Sequence, residues 1–134
     1  MVIVDASVAY KWWDEKESQS KEAKIILDDH LENKNRILAP TLLLHELANA
    51  WATKSKVTAS KVKSNILDLE SVGLIWEEAT FKLINKSAVF SRKYRVSVYD
   101  AVYAVLAQDK GCDLITADAK FADQVNLPFV KKLG

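Results

Sequence analysis

Four acidic residues interrupt apolar runs in this 134-residue chain, and they outline its chemistry. Asp5 ends Met1-Val2-Ile3-Val4, and Asp118 closes Leu114-Ile115-Thr116-Ala117. Glu46 sits within Leu42-Leu43-Leu44-His45-Glu46-Leu47-Ala48, and Asp100 within Val96-Ser97-Val98-Tyr99-Asp100-Ala101-Val102. An acid on an apolar, buried face is costly unless it is paired or bound to a cation. No Lys or Arg stands in any of these immediate settings, so a shared divalent ion is the reading that satisfies all four. Carboxylates brought together raise one another's pKa, and a divalent cation reverses that penalty. All-oxygen ligation with retained waters suits Mg²⁺, or Mn²⁺ in its place, rather than Zn²⁺. His30 and His45 form no zinc motif. With no activated Ser, Cys or His in the set, the expected chemistry is metal-assisted attack of water on a phosphodiester.

The elements that must position these acids follow from the pattern of apolar residues. Met1–Asp5 reads as a short buried strand, followed by a turn of helix from Ala6 to Trp13. Ala23, Ile26, Leu27 and Leu31 repeat at helical spacing in Lys21–Leu31. Arg36–Ala39 is a strand, and Pro40-Thr41 is expected to open a helix running to about Lys54. Thr58 is the expected N-cap of a helix with Val62, Ile66 and Leu69 along one stripe, ending at Gly73. Leu74–Trp76 reads as a strand. A helix holding Phe81, Ile84, Ala88 and Val89 follows, then another from near Ser97 to Gly111. Cys112–Thr116 is a strand, Asp118–Val125 a short helix, and Pro128–Val130 a final edge strand. Alternating strands and helices call for an α/β sandwich with a mostly parallel sheet of four to five strands.

In such a sheet, ligands bind outside the carboxyl ends of the strands, near the switch in strand order. Asp5 and Asp118 both end predicted strands, so they belong to one rim although they lie at opposite ends of the chain. Glu46 follows the second strand on a helix whose neighbours Leu42, Leu43 and Ala50 turn its face inward. Asp100 lies in a first helical turn, where the helix dipole favours negative charge. Its neighbours Ala101, Ala104 and Ala107 allow close approach. Plainer readings exist for each acid: a helix cap for Asp5, Asp118 or Asp100, and pairing with a Lys or with His45 for Glu46. Their coincidence on one rim favours the joint reading.

The gross numbers set the frame. The length fits one domain, 1–134, with a core that needs no staples. Nearly half the residues are apolar and 28% are charged, as in an ordinary soluble globular protein. The lone cysteine, Cys112, cannot form an internal disulfide, which fits a reducing cytoplasm. No secretory leader is legible, since Asp5 breaks the opening run, and no apolar stretch approaches the ~18 residues a membrane span needs. Net charge is +1, but once four acids are assigned to a metal the remaining surface is basic. Lys54, Lys56, Lys61 and Lys63 form one cluster, and Arg92, Lys93 and Arg95 another. Solvated helix faces are the plain reading of both; RNA contact, above all through Lys61, Lys63, Arg92 and Arg95, is the functional one.

The ordered set Val2-Ile3-Val4-Asp5-Ala6-Ser7, Pro40–Ala50, Ser97–Ala107 and Leu114–Phe121 resembles the PIN-domain family of Mg²⁺-dependent nucleases. Within that family it is most similar to the VapC-like toxins of type II toxin–antitoxin modules. Any one of these segments is a weak signal, whereas all four in order and spacing across the chain are a strong one. The resemblance implies a Rossmann-like three-layer sandwich in which Asp5, Glu46, Asp100 and Asp118 converge on one or two metal ions. It further implies an endoribonuclease held inactive by a cognate antitoxin, with homodimers common. Ser7 and Thr116 match hydroxyl positions beside the acidic pocket, and Asp123 matches an extra acid sometimes seen after the fourth.

Other functions fit less well. A structure-specific DNA nuclease shares the carboxylate logic but usually carries further helices to grip a duplex, for which this chain has little room. A non-catalytic nucleic-acid-binding module of the same fold is a further alternative. A receiver-like regulatory module needs an acidic pair beside a phosphoacceptor Asp, and Asp5 has no neighbouring acid. A haloacid-dehalogenase-like phosphatase needs Asp-x-Asp, where this chain has Asp5-Ala6-Ser7. Trp12 and Trp13 stand outside the acidic set. One is expected in the core with the other at a groove edge, or as an anchor for a partner helix or an unpaired base. Tyr99 and Tyr103 are expected to pack beside Asp100, and Cys112 within the core strand.

Overall fold

A computed structural model describes residues 1–134. Five short strands form one sheet: β1 (Val2–Val4), β2 (Ile37–Pro40), β3 (Ile75–Glu77), β4 (Asp113–Thr116) and β5 (Val130–Lys132). All neighbours pair in parallel, in the order β3-β2-β1-β4-β5. The chain builds outward from β1 through β2 to β3, then returns to the other side of β1 for β4. The order therefore reverses between β1 and β4, which is where an open parallel sheet leaves a crevice at its carboxyl edge. Register aligns Val4 with Ile115, so the residues just beyond these two strands share that crevice.

Seven helices flank the sheet in a three-layer α/β sandwich: α1 (Ala6–Ala9), α2 (Ser20–Leu31), α3 (Leu42–Asn49), α4 (Ala59–Val72), α5 (Phe81–Tyr94), α6 (Val98–Lys110) and α7 (Ala119–Val125). A 3₁₀ turn, Tyr10–Trp13, extends α1, and a π turn, Ala50–Lys54, extends α3. Every residue from Ala101 to Ala107 is buried, because α6 packs against β1, β2 and β4 on one side and α5 on the other. Such all-round burial requires an apolar helix, and α6 has one. No helix is long and apolar enough to cross a membrane.

Local chemistry sets the boundaries. Thr58 caps α4 by accepting the Lys61 N–H, and Ser97 caps α6 by accepting the Asp100 N–H at 3.0 Å. Gly73 and Gly111 end α4 and α6 at φ +68° and +65°, the left-handed region that glycine occupies without steric penalty. Pro40 departs from expectation: it ends β2 instead of opening α3, and the ladder continues through the Thr41 N–H to the Glu77 carbonyl. A proline can end a strand because the next residue supplies the donor it lacks. The last strand likewise begins at Val130, beyond Pro128. Cys112 precedes β4 and is half-buried, not a core strand residue.

On α5 the expected apolar residues Phe81, Ile84, Ala88 and Val89 are exposed. The buried stripe is Leu83, Ser87 and Phe90. Ser87 belongs in that stripe because its hydroxyl donates to the Leu83 carbonyl at 2.7 Å, which removes the cost of burying it.

Candidate active site

Each of the four acids is delivered by a different turn of local structure. Asp5 follows β1 and caps α1, accepting from the Ser7 hydroxyl and from the Val8 N–H. Asp118 follows β4 and caps α7, accepting the Phe121 N–H at 3.0 Å. The cap readings of these two acids are thus correct, and they place both carboxylates on the rim between β1 and β4. Glu46 lies on α3, whose Leu43 and Leu47 are buried, so its side chain is held against the core at the helix flank. Asp100 sits in the first turn of α6 but does not cap it, since Ser97 does.

Electrostatics tie the four together through Asp100. Burial raises the pKa of Asp5 from 3.8 to about 6, with a smaller contribution from the Asp100 charge, and hydrogen bonds from Ser7, Thr116 and Val8 oppose the rise. Glu46 is raised by burial and by Asp100, while the Tyr103 hydroxyl and Lys54 act in the other direction. Asp100 itself is raised by burial and by Asp118, against its bond to Ser97. One carboxylate thus lies within the electrostatic reach of the other three. No three acidic, histidine or cysteine side chains stand at metal-ligand spacing as placed. The donor set is all oxygen and mostly anionic, and its raised proton affinities are those a divalent cation would lower. The residues fit a hard divalent cation.

Two hydroxyls brace the rim. Ser7 Oγ donates to Asp5 and accepts the Ala117 N–H at 2.8 Å, so it links the ends of β1 and β4. Thr116 Oγ1 lies 3.4 Å from Ser7 Oγ and accepts the Asp118 N–H at 3.1 Å. Asp123 is placed elsewhere: it pairs with Lys132 of β5 at 2.6 Å and lines neither of the cavities at the acidic rim.

Two open cavities meet at Asp118. One, of about 550 Å³, is lined by Ser7, Glu46 and Asp118 together with Lys11, Asn49 and Lys54. The other, of about 210 Å³, holds Asp100 and Asp118 with Arg95 and Lys120. Lys120 lies two residues after Asp118 and Arg95 five before Asp100, and folding brings Lys54 toward Glu46 as well. Arg95 lines a cavity together with Asp100 and Asp118. Lys61 and Lys63 are exposed on α4, and Arg92 is exposed on α5; none of them lines either cavity.

Sequence reasoning missed Tyr103 and Lys11. Tyr103 is 1% exposed, and its hydroxyl donates to Glu46 Oε1 at 2.5 Å, so it does more than pack. Its only sequence signal is a tyrosine one turn after Asp100 in the otherwise aliphatic stretch Ala101–Ala107. Tyr99, expected to pack, is 63% exposed. Lys11 is buried with its ammonium on the Ser18 carbonyl at 2.8 Å. Trp12 and Trp13 are both half-buried, so neither is wholly core. Trp12 donates to the Ala23 carbonyl at 2.9 Å, and Trp13 packs edge-on against Trp51.

Comparison with known proteins places this arrangement. The family model described as PIN domain matches residues 2–126. A search of curated proteins found no match. Among solved structures, PAE2754 from Pyrobaculum aerophilum is similar with a TM-score of 0.70 at 22% identity, over 98% of this chain and 89% of that one. VapC20 of Mycobacterium tuberculosis, described as a Sarcin-Ricin loop cleaving toxin, gives a TM-score of 0.72 at 16% identity, with both chains covered in full. A toxin-antitoxin complex from Klebsiella pneumoniae gives 0.71 at 15% identity, over 100% of this chain and 97% of that one.

Proposed function

Because this chain belongs to the PIN-domain family, we propose that it is a divalent-metal-dependent endoribonuclease, the toxin of a type II toxin–antitoxin pair. The observation that carries this reading is the placement of Asp100 inside the electrostatic reach of Asp5, Glu46 and Asp118. The description of VapC20 as a Sarcin-Ricin loop cleaving toxin, and of a second neighbour as a toxin-antitoxin complex, supports it.

Asp5, Glu46, Asp100 and Asp118 would hold the ion. When bound, Mg²⁺ or Mn²⁺ supplies Lewis acidity at the scissile phosphate and lowers the pKa of a coordinated water. The protein's own part is positional. Ser7 holds Asp5 against the end of β4, and Tyr103 holds Glu46 toward the rim. Lys54 on one side and Arg95 and Lys120 on the other offer positive charge to successive phosphates of a strand that crosses Asp118. An antitoxin would silence the enzyme by covering this crevice, and a homodimer in the cytoplasm is part of the same reading.

The test is cleavage of single-stranded RNA in Mg²⁺ by the purified protein and by Asp100→Asn. The substitution preserves size and leaves the Ser97 cap intact. Activity is expected to fall by at least about 10²-fold, as when a central catalytic group is removed, with an unchanged circular-dichroism spectrum. Cleavage at the parent rate would overturn the reading, and a preference for branched duplex DNA would move it to the structure-specific DNA nuclease.

A further inference from the structure

The helix that carries Glu46 does not end as an α-helix. After Asn49 it widens into the π turn Ala50–Lys54, closed by the Ser55 N–H on the Ala50 carbonyl at 3.0 Å. Up to that point the spacing is α-helical, with Leu43, Leu47 and Trp51 buried at successive turns. In a continuous α-helix of about 3.6 residues per turn, seven residues make about two turns, so Thr53 would stand over Glu46. A π turn takes in one residue more than an α turn and hands that place to the next residue. The crevice shows this shift: Glu46, Ala50 and Lys54 line it, and Thr53 does not. Thr53 is exposed, with its hydroxyl on the Asn49 carbonyl at 2.6 Å. The charge of Lys54 reaches Glu46. Yet Lys54 belongs to none of the six ion pairs of the protein. Lys11, the other lysine of this crevice, is held by the Ser18 carbonyl at 2.8 Å. Lys54 is therefore the cation on this side that the fold leaves uncommitted, and a rare backbone irregularity puts it there.

We propose that the π turn is a register device of the nuclease site: it sets Lys54, in place of Thr53, against a phosphate that flanks the scissile one on the Glu46 side of the crevice. The inference rests on the endoribonuclease reading and deepens it, because it names the residue and the backbone feature that hold the strand there. An ammonium is a compact point charge that meets a phosphate whatever the base, so the contact adds affinity without sequence choice. The flanking phosphate is held alike in the bound strand and in the transition state, so its loss raises KM and leaves kcat nearly unchanged.

Moving the charge by one residue tests it. Thr53→Lys/Lys54→Thr preserves composition and net charge, and both positions are exposed. A fluorescein-labelled single-stranded RNA oligonucleotide is titrated against this variant in the catalytically silent Asp100→Asn background. Affinity at low salt is expected to fall about three- to tenfold, and the slope of log affinity against log salt to shrink by about 0.7, the share of one phosphate on a single strand. Lys54→Gln should match it in both, and Lys54→Arg should keep the parent values. Thr53→Gln removes the same hydroxyl without moving a charge and should bind like the parent. Parent-like binding by the transposed protein, or an equal loss in Thr53→Gln, overturns the proposal. With Asp100 restored and Mg²⁺ present, the transposed protein should show the loss in KM; a loss confined to kcat overturns the phosphate contact. Cleavage by the parent is scored separately: absence of any RNA cutting sinks the endoribonuclease reading, whereas cutting with KM indifferent to the position of the lysine sinks only the register device.

Discussion

The phenol of Tyr103 donates to Glu46 Oε1 at 2.5 Å, tying α6 to α3 at the level of the acidic rim. Burial and the neighbouring Glu46 charge push the Tyr103 hydroxyl far above its usual range, so it remains a donor at every working pH. The bond in turn favours the ionised form of Glu46, against burial and the charge of Asp100. One side chain therefore aims a carboxylate and keeps it charged.

Tyr103→Phe should lower RNA cleavage by about ten- to a hundredfold, the range seen when a group that orients a metal ligand is lost. The acidic limb of the pH–rate profile should move to higher pH, because Glu46 loses its one hydroxyl donor. Stability should fall by only about 1 kcal/mol, since Glu46 is half-buried and can turn toward water. A unchanged pH profile with reduced stability would reduce Tyr103 to a packing residue.

Asp5 predicts a pH dependence of metal-free stability. Its folded pKa, about 6, lies above the unfolded value of 3.8, so the folded state holds the extra proton between these limits. Folding stability from this group is therefore undiminished below pH 4 and is lost as pH rises through 6, by at most about 3 kcal/mol. Melting in chelator at pH 5 and pH 7.5 should show Asp5→Asn gaining several degrees on its parent at the higher pH and about half as much at the lower. Mg²⁺ should shrink the gain, because a cation stabilises the charged form.

Neutralising the central acid should have opposite effects with and without metal. In chelator, Asp100→Asn relieves Asp5 and Glu46 of repulsion and should raise the melting temperature. With Mg²⁺ added, the parent should gain stability by mass action while Asp100→Asn gains little. Differential scanning fluorimetry across a Mg²⁺ series reads both. Equal gains in the two proteins would place the ion elsewhere.

Arg95 should contribute through phosphate. Arg95→Gln is expected to weaken RNA binding by the Asp100→Asn protein at low salt and to reduce the slope of log affinity against log salt by about one. Charge reversal at Lys61 and Lys63, which lie outside both acidic-rim cavities, should weaken binding without changing which hairpin is preferred. Binding indifferent to salt would remove phosphate contact as the source of affinity.

Much of this molecule is written locally. The alternation of strands and helices, the Thr58 and Ser97 caps, and the glycine stops at Gly73 and Gly111 depend on short-range sterics and hydrogen bonds, which a linear reading captures. The four acids were legible for the same reason: each breaks an apolar run, and desolvation makes such a break conspicuous. What folding alone decided is which distant groups meet. The reversal of strand order between β1 and β4 puts Ser7 against Ala117 and Thr116, and the packing of α6 on α3 puts Tyr103 on Glu46. Asp118 and Lys120 come to share a cavity with Arg95 and Asp100 only because α7 and the α5–α6 junction meet in the fold. Charge and hydrogen bonding act through space over a few ångströms, so partners contributed by separate helices leave no periodic mark in the sequence.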